Sequence, residues 1–150
     1  MRDADAWLDR LSGVVRERDV VRAALAARDA AARLDPSLRT RGGLEAADRD
    51  AAGAELDRTY LVRLVSEFEG ALRSYWQFGM NRATKPNLKT LIDRIAADRS
   101  AAAPLPAVHR VRTYRNALVH RDGPPPAVPL PLPVARRVLN KFLARLPRRW

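Results

Sequence analysis

Hydrophobic residues recur at three- and four-residue spacing along most of the chain, and this spacing predicts helices. The first predicted helix covers residues 3–34 and ends before Pro36. A flexible link at residues 41–43 leads to a second helix over residues 44–78. The broadest apolar face lies in the second half of that helix, at Tyr60, Leu61, Leu64, Val65, Phe68, Leu72, Tyr75 and Trp76.

Three shorter helices are expected in the rest of the chain. The first begins after its cap, Asn87, and faces inward with Leu88, Leu91, Ile92 and Ile95. Pro104 and Pro106 open the second, which reaches Arg121. The last covers residues 134–146. No alternation of period two predicts a strand, so we expect an all-α fold. The predicted architecture is an antiparallel bundle of about five helices with a long N-terminal helix.

Two further segments carry structural expectations. Residues 124–133 contain six prolines and form a stiff connector. We expect it to be a surface strap that ties the last helix to the bundle, the alternative being a ligand for a proline-recognition domain. The final residues, Arg148 to Trp150, are expected to be frayed, the alternative being that Trp150 stacks on a base.

Basic residues are concentrated in the second half of the chain. The formal net charge is +11. Residues 1–75 hold 13 basic and 14 acidic residues, a net charge of −1, whereas residues 76–150 hold 15 and 3, a net charge of +12. This asymmetry favours a polyanionic partner for the second half. Solvated arginines without a partner are the alternative, although they do not explain the loss of acidic residues after position 76.

Composition narrows the classes of function. The absence of cysteine excludes disulfides and thiolate metal sites, and the two histidines are eleven residues apart, so we expect no bound metal. The sequence contains no glycine-rich phosphate loop of the kind that predicts a nucleotide cofactor, so no cofactor is expected. The N-terminus lacks a signal-peptide pattern and no apolar run is long enough for a membrane helix, so a cytoplasmic protein without membrane contact is expected.

The fourth predicted helix carries the candidate chemistry. An ideal helix places Val108, Val111, Tyr114 and Leu118 on one face and His109, Arg112, Asn116 and His120 on another, with Arg115 between the two faces. A guanidinium, an amide and an imidazole in this arrangement suit phosphate binding and proton transfer. Arg115 and His120 are about 140° apart on a single helix. We therefore expect them to meet only across the two-fold axis of a homodimer.

The segment Arg115-Asn116-Ala117-Leu118-Val119-His120 resembles the motif of the HEPN superfamily (higher eukaryotes and prokaryotes nucleotide-binding domain). That motif is an arginine followed after four to six residues by a histidine, commonly with a polar residue directly after the arginine. Residues 60–73 are also similar to the preceding long helix of several prokaryotic members. The resemblance covers residues 55–146, so we expect an N-terminal helical extension at residues 1–40 and a HEPN-like bundle at residues 44–150.

The resemblance implies a metal-independent endoribonuclease that acts as a homodimer, often as a toxin of toxin–antitoxin or phage-defence systems. His120 would be the general acid or base, Arg115 would stabilise the pentavalent phosphate, and Asn116 would hold the imidazole or a phosphate oxygen. Arg112, His109 and Arg121 are the expected RNA contacts. An antitoxin or a nucleotidyltransferase is an expected partner. The alternative is a non-catalytic scaffold that binds RNA or protein, in which His120 is only a partly exposed helix-end residue and His109 a solvated one.

Overall fold

The computed structural model describes residues 3–35, 37–40, 46–98, 105–120 and 128–150. They form six α-helices and one π-helical turn, which directly follows the third helix. The helices are α1 (Ala4–Leu34), α2 (Ser37–Thr40), α3 (Ala46–Ser74), α4 (Leu88–Asp98), α5 (Leu105–Val119) and α6 (Leu132–Leu143), and the π-helical turn is Tyr75–Gly79. These ranges contain no β-strand, which confirms the prediction of an all-α helical bundle.

The third helix is the centre of the bundle, because it packs against α1, α4, α5 and α6. Its buried face includes the apolar residues predicted from the sequence, apart from Tyr60, which is only partly buried. Phe68 meets Phe142 of α6 edge to face, with 5.7 Å between the ring centroids. Tyr75 and Trp76 at its end are buried, as the sequence predicted. Each such side chain contributes about 1.5–3 kcal/mol when fully buried.

Only the first part of α1 contributes strongly to this core. Leu11, Val14 and Val15 belong to the same buried cluster as the α3 side chains. Val20 and Val21 are 69% and 37% exposed, so the middle of α1 does not continue this buried face. The division into an N-terminal extension and a separate bundle stays a prediction.

Several predicted helix ends differ from the structure. The last helix begins at Leu132, two residues earlier than predicted, because Pro133 falls in its first turn, where a missing N–H has no intrahelical partner. It also ends at Leu143 and is followed by a short turn. The predicted stop at Pro36, the link at residues 41–43, Pro104 and residues 121–127 lie outside the described residues.

The C-terminal residues are packed against the bundle, so the expectation of a frayed tail is wrong. The Trp150 indole N–H donates to Ser74 Oγ at 3.0 Å, and its ring meets Tyr75 edge to face at 5.3 Å. The backbone N–H of Ala4 donates to the carbonyl oxygen of Arg148 at 3.0 Å. These contacts join the start of α1 and the end of α3 through the last residues.

Candidate functional site

The fifth helix lies between α3, α4 and α6, and its packing fixes the direction of the candidate side chains. Val108 and Val111 are fully buried, as predicted. Tyr114 and Leu118 are partly buried and pack against the core. Arg115 is four residues after Val111 and seven after Val108, so an α-helix places it over the same buried face.

Arg115 is accordingly half-buried rather than solvated. Its Nη1 donates to Asn116 Oδ1 at 3.3 Å. Its Nε is buried and has no hydrogen-bond partner among the residues described. The structure therefore brings Arg115 and Asn116 together and keeps one donor of the guanidinium without a partner in this part of the chain.

His120 directly follows the last residue of α5. Its backbone N–H donates to the carbonyl oxygen of Asn116 at 2.8 Å, which extends the helical hydrogen-bond pattern by one residue. The side chain is exposed. Within the described ranges no hydrogen bond joins the imidazole to Arg115 or Asn116, so the hydrogen bonds of a single chain do not assemble the predicted site. Arg121, a predicted RNA contact, lies outside the described residues.

His109 has a different environment from the other residues of the predicted polar face. Its Nε2 lies 2.7 Å from Asp93 Oδ1 on α4, and the side chain is only 25% exposed. The alternative of a solvated His109 is therefore wrong. Asp93 also accepts a hydrogen bond from Lys89 Nζ at 3.0 Å. That bond is the main reason why the pKa of Asp93 lies below the ordinary value of an aspartate; burial opposes this shift and the His109 bond adds to it.

Two features of His109 and Arg112 limit them as RNA contacts. The Nδ1 atom of His109 is buried without a partner among the described residues, and its other nitrogen is engaged by Asp93. Arg112 Nη2 donates weakly to Thr113 Oγ1 at 3.4 Å, and Arg112 Nε is buried. No pattern in the sequence indicates the pairing of Asp93 with His109, because these residues lie on different helices.

An open groove that the sequence did not predict lies beside the motif. It has a volume of about 700 Å³ and separates α5 from the extended segment before α6. Its walls are mainly apolar and consist of Arg110, Thr113, Tyr114, Ala117, Val128, Pro129, Leu130, Pro131 and Val134. Leu130 packs against the core, so the described part of the proline-rich connector lies along the bundle as the strap prediction expects. Ala117 on the groove wall directly follows Asn116.

No protein-family model, curated protein or solved structure matches this chain. In the described parts of the chain, no three His, Cys, Asp or Glu side chains form a group that would hold a metal ion. No helix in those parts combines the length and apolar character needed to cross a membrane.

Proposed function

We propose that this protein is a metal-independent endoribonuclease of the HEPN type, with a composite site in a homodimer. The supporting observation is the end of α5: the imidazole of His120 is exposed, and the joined pair Arg115–Asn116 precedes it by one turn. An imidazole enclosed in the bundle has no access to a phosphodiester, so the exposure of His120 meets the first requirement of the proposal.

The chemistry assigned to these residues needs no metal ion. His120 accepts the proton of a ribose 2′-hydroxyl, whose oxygen attacks the adjacent phosphorus. The bond from phosphorus to the 5′-oxygen breaks, and the protonated His120 delivers the proton to that leaving oxygen. The products are a 2′,3′-cyclic phosphate and a 5′-hydroxyl. Arg115 stabilises the negative charge that develops on the phosphoryl oxygens, and Asn116 holds the guanidinium in place.

A second copy of the chain is needed because Arg115 and His120 do not meet within one chain. The apolar groove of about 700 Å³ beside Asn116 offers a surface for that copy. Val119 and Val134 near this surface are 44% and 42% exposed. In the proposal, docking covers these side chains and places Arg115 of one protomer opposite His120 of its partner.

The direct test is RNA cleavage by the variant His120→Ala in the presence of EDTA. General acid–base catalysis contributes about 10²–10⁴-fold, so we expect the cleavage rate to fall at least about 100-fold. His109→Asn is the matched control, because it removes the other histidine of the chain, and it should retain cleavage at saturating RNA. Cleavage by His120→Ala at the wild-type rate, with an unchanged circular dichroism spectrum, would falsify the assignment.

One observation favours a second candidate, a non-catalytic HEPN-like scaffold that binds RNA or a protein partner such as an antitoxin or a nucleotidyltransferase. The hydrogen bond from Arg115 to Asn116 Oδ1 engages both side chains with each other rather than with the imidazole. The scaffold predicts RNA binding without any 2′,3′-cyclic product, even after long incubation. Analysis of the product ends therefore separates the two candidates.

A further inference from the structure

The segment between the π-helical turn and α4, residues 80–87, is held firmly against the bundle; we call it the basic loop. The Arg82 N–H donates to the carbonyl oxygen of Trp76 at 3.1 Å, and the Trp76 indole N–H donates to the carbonyl oxygen of Thr84 at 3.0 Å. Arg73 Nη1 donates to the carbonyl oxygen of Pro86 at 3.2 Å. These bonds fix the backbone that carries the exposed side chains of the loop.

Three exposed cations surround this loop. Arg82 and Lys85 lie on it, and Arg94 lies on α4 with its guanidinium carbon 5.8 Å from the centroid of the Trp76 ring. None of the three forms an ion pair with an acidic residue in the described part of the chain. Because positive charge here is not neutralised locally, the surface attracts anions.

Two depressions border the basic loop and share Trp76 and residues 82–84 in their linings. The first has a volume of about 400 Å³ and is bordered by Arg82 and Lys85. The second has a volume of about 690 Å³ and is bordered by Arg82 and Arg94. Among the described residues of the two linings, the one acidic side chain is Asp98 in the second depression. Asp98 is itself engaged in an interaction with another group.

Arginines in the first half of the protein have a different environment, because many of them are paired with acids. Arg18 pairs with Asp19 at 2.9 Å, and Arg22 pairs with Asp57 at 3.0 Å. Arg73, which borders the first depression, donates to Glu69 at 2.9 Å and so adds no net charge there. The unpaired cations around the basic loop therefore differ from the arginines of α1 and α3, many of which are neutralised by neighbouring acids.

We propose that the basic loop and α4 bind the phosphodiester backbone of an RNA strand, independently of its sequence. Each depression receives a phosphate, and Arg82 on the shared wall contacts both phosphates. Guanidinium groups suit phosphate oxygens because they donate two parallel hydrogen bonds. A lipid surface would contact protruding side chains, whereas these cations line concavities. Neither depression is lined by a residue of α5, so this binding does not depend on the proposed cleavage.

The test is the affinity for a strand that cannot be cleaved. A labelled 2′-O-methyl oligonucleotide of about 16 nucleotides is titrated by fluorescence anisotropy at several salt concentrations. For the triple variant Arg82→Ala, Lys85→Ala, Arg94→Ala we expect about tenfold weaker binding at ~0.1 M salt. The slope of log affinity against log salt should fall by about 1.4, because two phosphate contacts are lost and each contributes about 0.7 on a single strand.

The matched control lowers the net charge equally at another place. Arg16→Ala, Arg33→Ala and Arg137→Ala together remove three exposed cations from α1 and α6, none of which forms an ion pair in the described part of the chain. This control should bind within about twofold of the wild type with an unchanged salt slope, because its cations lie outside the proposed contact. Equal losses in the two triple variants would mean that only the total charge matters, and the proposal would be wrong.

Two further variants keep the result interpretable. The double variant Arg82→Ala, Lys85→Ala leaves Arg94 on Trp76 and should still lose affinity, whereas Arg82→Lys with Arg94→Lys keeps the charges and should bind. The triple variant is also titrated with phosphatidylserine vesicles and with polyglutamate. If it loses affinity strongly for either of these but not for the oligonucleotide, the surface binds another partner and the proposal is overturned. His120→Ala should bind normally, so a protein that binds but never cleaves refutes the ribonuclease assignment alone.

Discussion

The carboxyl group of Asp93 links two helices, because it accepts from Lys89 on its own helix and lies 2.7 Å from His109 Nε2 on α5. The side chain is 39% exposed, so water screens both interactions. The link nevertheless fixes the beginning of the helix whose end carries His120. At the residue scale, this contact therefore joins α4 to α5 about three turns before His120.

Asp93→Asn tests this link through the pH dependence of stability. The pKa of Asp93 is lowered in the folded protein, so its contribution is present above the unfolded pKa and is lost as pH falls through the folded pKa. We expect urea denaturation at pH 7 to show a loss of about 0.5–1 kcal/mol, as for a partly exposed pair. The difference from the wild type should shrink towards pH 3.

Asp9→Asn is the control for that experiment, because Asp9 is exposed and is not one of the carboxyl groups seen in an ion pair in the described structure. It should change stability little at any pH. A deficit of Asp93→Asn that stays constant from pH 7 to pH 3 would show that the carboxylate charge does not stabilise the fold.

Sequence spacing located Arg115 only partly. Helical geometry places it four residues after a buried valine, but the sequence does not show how far the neighbouring helices extend along α5. The packing makes the guanidinium half-buried with a buried Nε. In the same way, helical spacing placed His109 on a polar face but did not show its contact with Asp93, which makes the imidazole partly buried. Side-chain periodicity predicts the face of a helix and not the partner across it.

The end of α3 shows the same limit at the scale of an element. The apolar pattern predicted a continuous helix through residue 78, whereas the last turn is π-helical, with the Met80 N–H bonded to the carbonyl oxygen of Tyr75 at 2.9 Å. Asn81 follows with a φ of 51°, a left-handed conformation that asparagine tolerates better than most residues. Tyr75 and Trp76, two adjacent residues of this turn, are both buried. Apolar spacing alone does not distinguish α from π geometry.

Gly79→Ala tests the packing at this turn. A Cβ atom on Gly79 would lie 2.5 Å from Tyr75 Cε2 and 3.0 Å from Trp150 Cβ. The Tyr75 ring is 1% exposed and has no room to move away. We expect thermal or urea denaturation to show a loss of about 1–3 kcal/mol, as for overpacked cores.

The matched control is Gly53→Ala in α3, where an added Cβ meets no atom within 4 Å. Alanine favours a helix over glycine by about 0.8–1.0 kcal/mol, so this variant should be as stable as the wild type or more stable. Equal stability of the Gly79→Ala variant and the wild type would contradict the close packing of Tyr75 and Trp150 around the turn.

At the scale of the whole molecule, the two halves of the chain differ in charge. Ion pairs within and between α1 and α3 neutralise many arginines of the first half, whereas the second half is basic. The sequence predicted the charge asymmetry, with net charges of −1 and +12. It did not show that the cations of the second half surround concavities at the basic loop, because those concavities arise from the π-helical turn and the bonds of Trp76. The all-α class was likewise predictable from periodicity, whereas the docking of Trp150 on Ser74 depends on residues 76 positions apart.

The composite site makes a prediction that no single-chain site shares. Arg115→Ala and His120→Ala should each be inactive alone, because every site of either homodimer lacks one catalytic residue. After mixing, unfolding and refolding together, half of the dimers are mixed, and each mixed dimer contains one site with Arg115 from one chain and His120 from the other. We therefore expect cleavage to recover to about a quarter of the wild-type rate, because one of two sites is intact in half of the dimers.

Two controls define what that recovery means. Mixing His120→Ala with the double variant Arg115→Ala, His120→Ala should restore nothing, because no dimer then contains an imidazole at position 120. Adding a glutamate at the groove, Ala117→Glu, places a charge against the surface proposed for the partner and should reduce both dimerisation in sedimentation and the recovered activity. If the mixture stays inactive while its chains demonstrably exchange, Arg115 and His120 do not share a site across protomers, and the geometry of α5 then leaves no way for them to act on one phosphate.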